Sequence, residues 1–174
     1  MSDDTRWLTP PQLYAWMQLT GAITQLPAVL DAQLRRDSGL NFFEYSILAG
    51  LSGSPDRAMQ MATLAQMANG SQSRLSHAVS RLEKAGWVTR RSCADRSRAV
   101  EAVLTDAGHE KIVQAAPFHV REVQRMVIEP LTDEELGQLR NALRKILLVA
   151  SPETVQLLDD TFAGTAPAGE PEQQ

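Results

Sequence analysis

The chain has little of what would tie it to secretion, a membrane or catalysis. Its 174 residues include one cysteine, Cys93. No intrachain disulfide can form, so a reducing compartment is the simpler setting and the cytoplasm the expected location. No apolar run approaches the ~18 residues that cross a bilayer. The opening Met1-Ser2-Asp3-Asp4 has no basic stretch followed by an apolar one, so neither secretion nor a membrane partner is expected. Gly-x-Ser-x-Gly, Gly-x4-Gly-Lys-Ser/Thr and His-Glu-x2-His are all missing, which takes away the nucleophile elbow, the phosphate loop and the zinc-protease helix. The histidines His77, His109 and His119 are too far apart in sequence for a zinc set and have no cysteine pair beside them. His109 and His119 are expected on helix surfaces or at interfaces. Acid pairs such as Asp133/Glu134 lie in first turns of helices, where the helix dipole accounts for them. The expectation is a protein that is not an enzyme, with no metal and no cofactor.

An overall positive charge is also lacking. The net value of −4 counts against a nucleic-acid partner, because duplex affinity comes largely from Lys and Arg neutralising phosphates. The average conceals an asymmetry. Between Ser71 and Arg98, seven cations (Arg74, Arg81, Lys84, Arg90, Arg91, Arg96 and Arg98) face only Glu83 and Asp95, a net of +5 that leaves −9 for the remainder. One cationic segment in an acidic body suits a molecule that meets a polyanion with one face.

Helix starts are plainly marked. Thr9-Pro10-Pro11-Gln12 combines a capping-box pair with proline at the first helical position. Leu13, Trp16, Ile23, Leu26, Leu30 and Leu34 then recur at helical spacing as a stripe to be buried, with a kink expected at Pro27. Asn41 and Glu44 cap a second helix whose inward face is Ile47, Leu48 and Leu51. Gly53-Ser54-Pro55-Asp56 reads as a turn, and a short helix from Met61 ends at Asn69-Gly70. Another begins at once at Ser71, with Leu75, Ala78, Val79 and Leu82 as its apolar stripe and Gly86 as its stop. Two short helices around a tight turn outline a helix-turn-helix.

Beyond Gly86 the period changes to two. Trp87-Val88-Thr89 and the alternation from Ala99 to Leu104 predict one strand pair, with the polar tract Arg90 to Arg98 as a long exposed tip. Thr105 caps a helix reaching about Ile128, kinked at Pro117. Thr132 to Glu135 caps the next, with Leu136, Leu139, Leu143, Ile146 and Leu147 as its buried stripe. Pro152 opens a final short helix containing Val155, Leu158 and Phe162. Residues 163–174 have no large apolar side chain and are expected to be a disordered tail. The fold class is mainly α, and no repeat is visible.

Arg74, His77, Arg81 and Lys84 share the face of their helix opposite the apolar stripe. A helix buried on one side and basic on the other can lie in a major groove, with Ser71, Gln72, Ser73 and Ser76 near the entering end. An ordinary solvated face would show the same charges. The second basic element immediately downstream, a tract that begins at Arg90 and has Arg96 and Arg98 at its tip, favours the groove-binding reading, since arginine is drawn to the minor groove.

The residues that carry this pattern resemble the MarR family of winged helix-turn-helix regulators. They are Leu64-Ala65, the run Ser73 to His77, Arg-Leu-Glu-Lys-Ala-Gly-Trp-Val at Arg81 to Val88, and Ala-Val-Leu-Thr-Asp-Ala-Gly at Ala102 to Gly108. Phe43-Glu44-Tyr45 with Leu48 is similar to the family's second helix, and Ala116-Pro117, His119 and Pro130-Leu131-Thr132 resemble one of its branches.

The resemblance implies a winged helix-turn-helix with a two-stranded hairpin wing, flanked by dimerisation helices. The expected layout is an N-terminal dimerisation helix over 9–36, a DNA-binding lobe over 41–104 and C-terminal dimerisation helices over 105–162. It implies a homodimer, a double-stranded DNA partner with a pseudo-palindromic operator, and repression as the expected outcome. Ser73, Arg74, His77 and Arg81 match recognition-helix positions, and Arg98 matches the wing arginine of an Asp-x-Arg pattern. Here the sequence departs, since Arg96 stands where the family has aspartate and Asp95 lies one residue earlier. Either Asp95 orients Arg98 through a different hairpin tip, or Arg96 makes its own phosphate contact. Members also bind small aromatic effectors, for which Trp16, Phe43 and Tyr45 are the candidate lining residues, although such residues are more often core. Cys93 has no partner cysteine within the chain to resolve an oxidised form, so a redox role is not expected. The competing reading is a winged-helix scaffold for protein association, favoured by the acidity and the displaced Asp95.

Overall fold

The computed structural model describes residues 5–92 and 100–162. Cys93, Asp95, Arg96, Arg98 and the 163–174 tail therefore lie outside the described residues. The order is α1 (Pro10–Ser38), α2 (Phe42–Gly53), a three-residue 3-10 turn (Pro55–Arg57), β1 (Ala58–Gln60), α3 (Met61–Met67), α4 (Gln72–Lys84), β2 (Val88–Ser92), β3 (Val100–Leu104), α5 (Asp106–Val123), a π-helical turn (Gln124–Ile128), α6 (Asp133–Ala150) and α7 (Pro152–Phe162).

Local capping explains most of these starts. Gln12 accepts the Thr9 amide at 2.8 Å. Asn41 and Glu44 satisfy each other's amides at 2.8 and 3.2 Å. The Ser71 hydroxyl accepts the Arg74 amide at 3.2 Å, and Thr132 and Glu135 repeat the reciprocal pattern. α1 ends at Gly39, whose φ of 69° supplies the left-handed cap. It runs unbroken through Pro27.

The core lies between α2, α3, α4, the sheet and the near ends of α1 and α5. Leu34, Ile47, Leu48, Leu51, Leu64, Leu75, Val79 and Leu82 are all buried there. Thr105 ties the lobe's far corner together. Its hydroxyl donates to the Gly86 carbonyl at 2.7 Å and accepts the Gly108 amide at 3.0 Å, while its own amide donates to the Trp87 carbonyl at 3.0 Å. Gly108 fits only because it has no side chain, since a Cβ there would sit 2.1 Å from the Trp87 carbonyl oxygen.

Two expectations need correction and two gain detail. The sheet has three antiparallel strands in the order β1-β3-β2, not two. β1 pairs Ala58 with Val103 and Gln60 with Glu101, and three residues are too few to show a period. Second, β2 extends to Ser92, so Arg90 and Arg91 are strand residues opposite Ala102 and Glu101 rather than part of the tip. Third, α5 gives way after Val123 to a wider π turn. Fourth, two stripes expected to be buried are largely uncovered within the chain. Of the α1 set Leu30 and Leu34 are buried, whereas Leu13, Trp16 and Ile23 are 47%, 53% and 60% exposed. No residue of α6 is buried, and Leu139, Leu143 and Ile146 are all exposed. Helical periodicity marks a stripe but does not say what covers it.

Candidate nucleic-acid interface

α4 has four working surfaces. Leu75, Ala78, Val79 and Leu82 hold it to the core. The outward surface presents Arg74, His77, Arg81 and Lys84, all exposed, with Ser71, Gln72, Ser73 and Ser76 exposed around its first turns. The expected constellation is thus brought together on one helix with its amino end open.

One flank of α4 meets α2. The Arg74 guanidinium lies over the Phe43 ring, 4.2 Å from its centroid, a cation–π contact that holds a long side chain in one direction. Phe43 in turn lies against Gly70, where a Cβ would come within 2.5 Å of the ring. Arg81 Nε donates to Glu44 Oε1 at 2.8 Å, and the Glu44 side chain is only 13% exposed. Glu44 therefore does two jobs, closing the α2 cap with one oxygen and anchoring Arg81 with the other.

A concavity of about 340 Å³ opens on this side, lined by Asp31, Arg35, Asn41, Phe43, Arg74, His77 and Arg81. Asp31 closes its floor, accepting the Phe42 amide at 2.9 Å and Arg35 Nε at 2.6 Å. Burial pushes the Asp31 carboxyl up, but these bonds and the charges of Arg35 and Arg74 together bring it below the usual carboxylate value.

The other flank of α4 meets the hairpin through Arg90, which reaches Ser76, Ser80 and Glu83. Arg91, on the opposite face of β2, pairs across the ribbon with Glu101 at 2.9 Å. Sequence reasoning missed Glu44, Glu83, Arg35 and Asp31. Glu44 carried a signal only as a cap residue, and nothing local announces a partner 37 positions away.

The residues proposed to line an effector site are not gathered in that concavity. Phe43 borders it, but Trp16 and Tyr45 do not. Trp16 stands on the uncovered part of α1. Tyr45 is buried and packs at a tilt against His119, ring centroids 4.3 Å apart. His119 is half-buried rather than on the helix surface, and its Nδ1 has no hydrogen-bond partner among the described residues. Burial depresses its pKa below 6.5. Among the described residues no cluster of three His, Cys, Asp or Glu could hold a metal ion, and no described helix is long and apolar enough to cross a membrane.

Residues 38–99 match the model of the MarR family. Sco3205, a MarR family transcriptional regulator from Streptomyces coelicolor solved in complex with DNA, superposes with a TM-score of 0.80 at 40% identity, covering 84% of this chain and 95% of that one. AbsC, a MarR family transcriptional regulator from the same organism, gives 0.77 at 39% identity, covering 82% and 95%. The HTH-type transcriptional regulator PecS of Dickeya dadantii (strain 3937) is 29% identical over 135 residues, 75% of this chain and 80% of PecS.

Proposed function

The chain belongs to the MarR family of transcriptional regulators, and we propose that it represses transcription as a homodimer that places one α4 in each half-site of a pseudo-palindromic operator. The observation that carries this reading is the exposed basic surface of α4, beside a β-hairpin, in a chain 40% identical to a relative solved with DNA. In this reading Arg74 and Arg81 give paired hydrogen bonds to guanine or phosphate. Ser71, Gln72, Ser73, Ser76 and His77 make the shorter contacts at the groove floor and wall. Arg96 and Arg98 reach the neighbouring minor groove. Phe43 and Glu44 set the directions of Arg74 and Arg81 before the duplex arrives, which lowers the entropy lost on binding.

The dimer is supported by the uncovered stripes. Leu13, Trp16 and Ile23 of α1 with Leu139, Leu143 and Ile146 of α6 are large apolar side chains left 37–60% exposed within one chain, and grouped apolar exposure of this kind marks interaction surfaces. A partner copy covering them gives the layout of 9–36 and 105–162 as dimerisation helices around a DNA-binding lobe at 41–104.

Titration of the full chain against random-sequence duplex at low and moderate salt tests the reading. The expected result is affinity that falls steeply and linearly in log salt, as phosphate contacts require. Binding with no salt sensitivity, or no binding, would favour the protein-association scaffold instead.

A further inference from the structure

We propose that Arg90 is a positioning residue, which fixes the β2–β3 hairpin against the flank of α4 and does not itself touch DNA. The proposal rests on the DNA-binding reading above and reassigns one cation within it.

Arg90 shares a face of β2 with buried Val88, two residues earlier, while Thr89 and Arg91 point to the exposed side. Its guanidinium is thereby directed at α4 rather than away from the lobe. Nη2 donates to the Ser76 carbonyl at 2.9 Å and to Ser80 Oγ at 3.2 Å, and Nη1 pairs with Glu83 Oε2 at 2.8 Å. Ser76, Ser80 and Glu83 are spaced i, i+4, i+7, one line along the helix. That line runs between the buried stripe and the outward Arg74/His77/Arg81 surface. The Ser80 hydroxyl also donates to the Ser76 carbonyl at 2.9 Å, so the helix side of the contact is itself ordered. The Arg90 and Glu83 side chains are 30% and 29% exposed, unlike Arg81, which is 56% exposed.

Three acceptors met from two nitrogens suit the fixed planar fork of a guanidinium, whereas an ammonium has its three donors on a single nitrogen and cannot reproduce that spread. A phosphate contact by Arg90 would have to give up the Glu83 pair and at least one of the helix bonds. Keeping them instead holds β2, and β3 paired to it, against the recognition helix. Arg81 differs in this respect. Its anchor is a single carboxylate on α2 and its side chain remains half open, so it can still turn toward a duplex.

The test uses the full-length protein, with Arg90→Lys and Glu83→Gln as conservative variants and a duplex enriched from a random library by the wild-type chain. A positioning role predicts that each variant weakens binding by roughly fivefold to tenfold. The salt slope should stay at the wild-type value, and the double variant should be no weaker than Arg90→Lys alone. In the free protein, amide hydrogen exchange in 88–92 and 100–104 should rise severalfold in both variants, while Leu75 and Val79 keep their protection. A direct phosphate contact predicts the opposite pattern. Arg90→Lys would bind almost as wild type, Glu83→Gln would be neutral or tighter through loss of an acid, and exchange would be unchanged. Any of these three results overturns the proposal. Loss of salt-sensitive binding by the wild-type chain would instead overturn the DNA-binding reading, and the exchange measurement would still decide whether Arg90 holds the hairpin.

Discussion

Two apolar stripes with similar helical spacing meet different fates in this chain. In the central lobe, the α4 stripe of Leu75, Val79 and Leu82 is buried to the last side chain. In α6, the stripe of Leu139, Leu143 and Ile146 stays 37–45% exposed and no residue of the helix is buried. α1 contains the contrast within one helix, exposed at Trp16 and Ile23 and sealed at Leu34. The lobe is thus a core complete in one copy, whereas the outer helices leave large apolar side chains partly open within the chain. Stability in the first should depend on the chain alone, and in the second on its concentration.

Cutting into each region sharpens that contrast. Leu75→Ala, which opens a cavity in the sealed lobe, should cost about 2–5 kcal/mol and lower the melting temperature by the same amount at every protein concentration. Leu143→Glu with Ile146→Glu should leave the lobe folded by circular dichroism but raise the self-dissociation constant by roughly a hundredfold or more, as burial of charge at an apolar contact requires. Sedimentation at several concentrations reads this directly, and an unaltered dimer would break the comparison.

Within the basic surface, Arg74→Ala should cost about 1–3 kcal/mol of binding and relax preference at particular base pairs, measured by competition between the selected duplex and single-base variants. Equal losses across all sequences would mark Arg74 as a phosphate contact only. The smallest effect is on acid stability. His119 is held below its ordinary pKa of 6.5 by burial, so the unfolded chain takes up the proton first as pH falls. The contribution of neutral His119 is whole above about 6.5 and is lost progressively below it, down through the lowered native pKa. His119→Asn should flatten that part of the melting profile, and an unaltered slope would show that His119 does not titrate as its burial requires.

What could be read from the residues alone follows the range of the interactions. The starts of α1, α2, α4, α5 and α6 were legible because each rests on a Ser, Thr or Asn and a partner three positions on. The helix-turn-helix was legible because its turn is written in Asn69-Gly70, and Asn69 adopts a φ of 51°. β1 was not, since Ala58–Gln60 becomes a strand only by pairing with β3 more than forty residues later. Separation in sequence also hid Glu44 beneath Arg81, 37 positions away, and the partner 14 positions before Arg90 left it read among exposed tip residues when it faces α4. Charge and periodicity identified which cations cluster, but not which of them already have a carboxylate. The stripes of α1 and α6 were legible as stripes but not what covers them, because an apolar period is the same whether its cover is the chain itself or another copy.

The most direct test of the central claim is a hydroxyl-radical footprint of the full-length chain on a duplex selected by it. Two α4 helices presented by a symmetric pair predict two protected patches related by a dyad, about 34–36 Å apart or a multiple of it, both of them lost with Arg74→Ala. A single patch with no symmetry mate, or two patches that persist in Arg74→Ala, would contradict it.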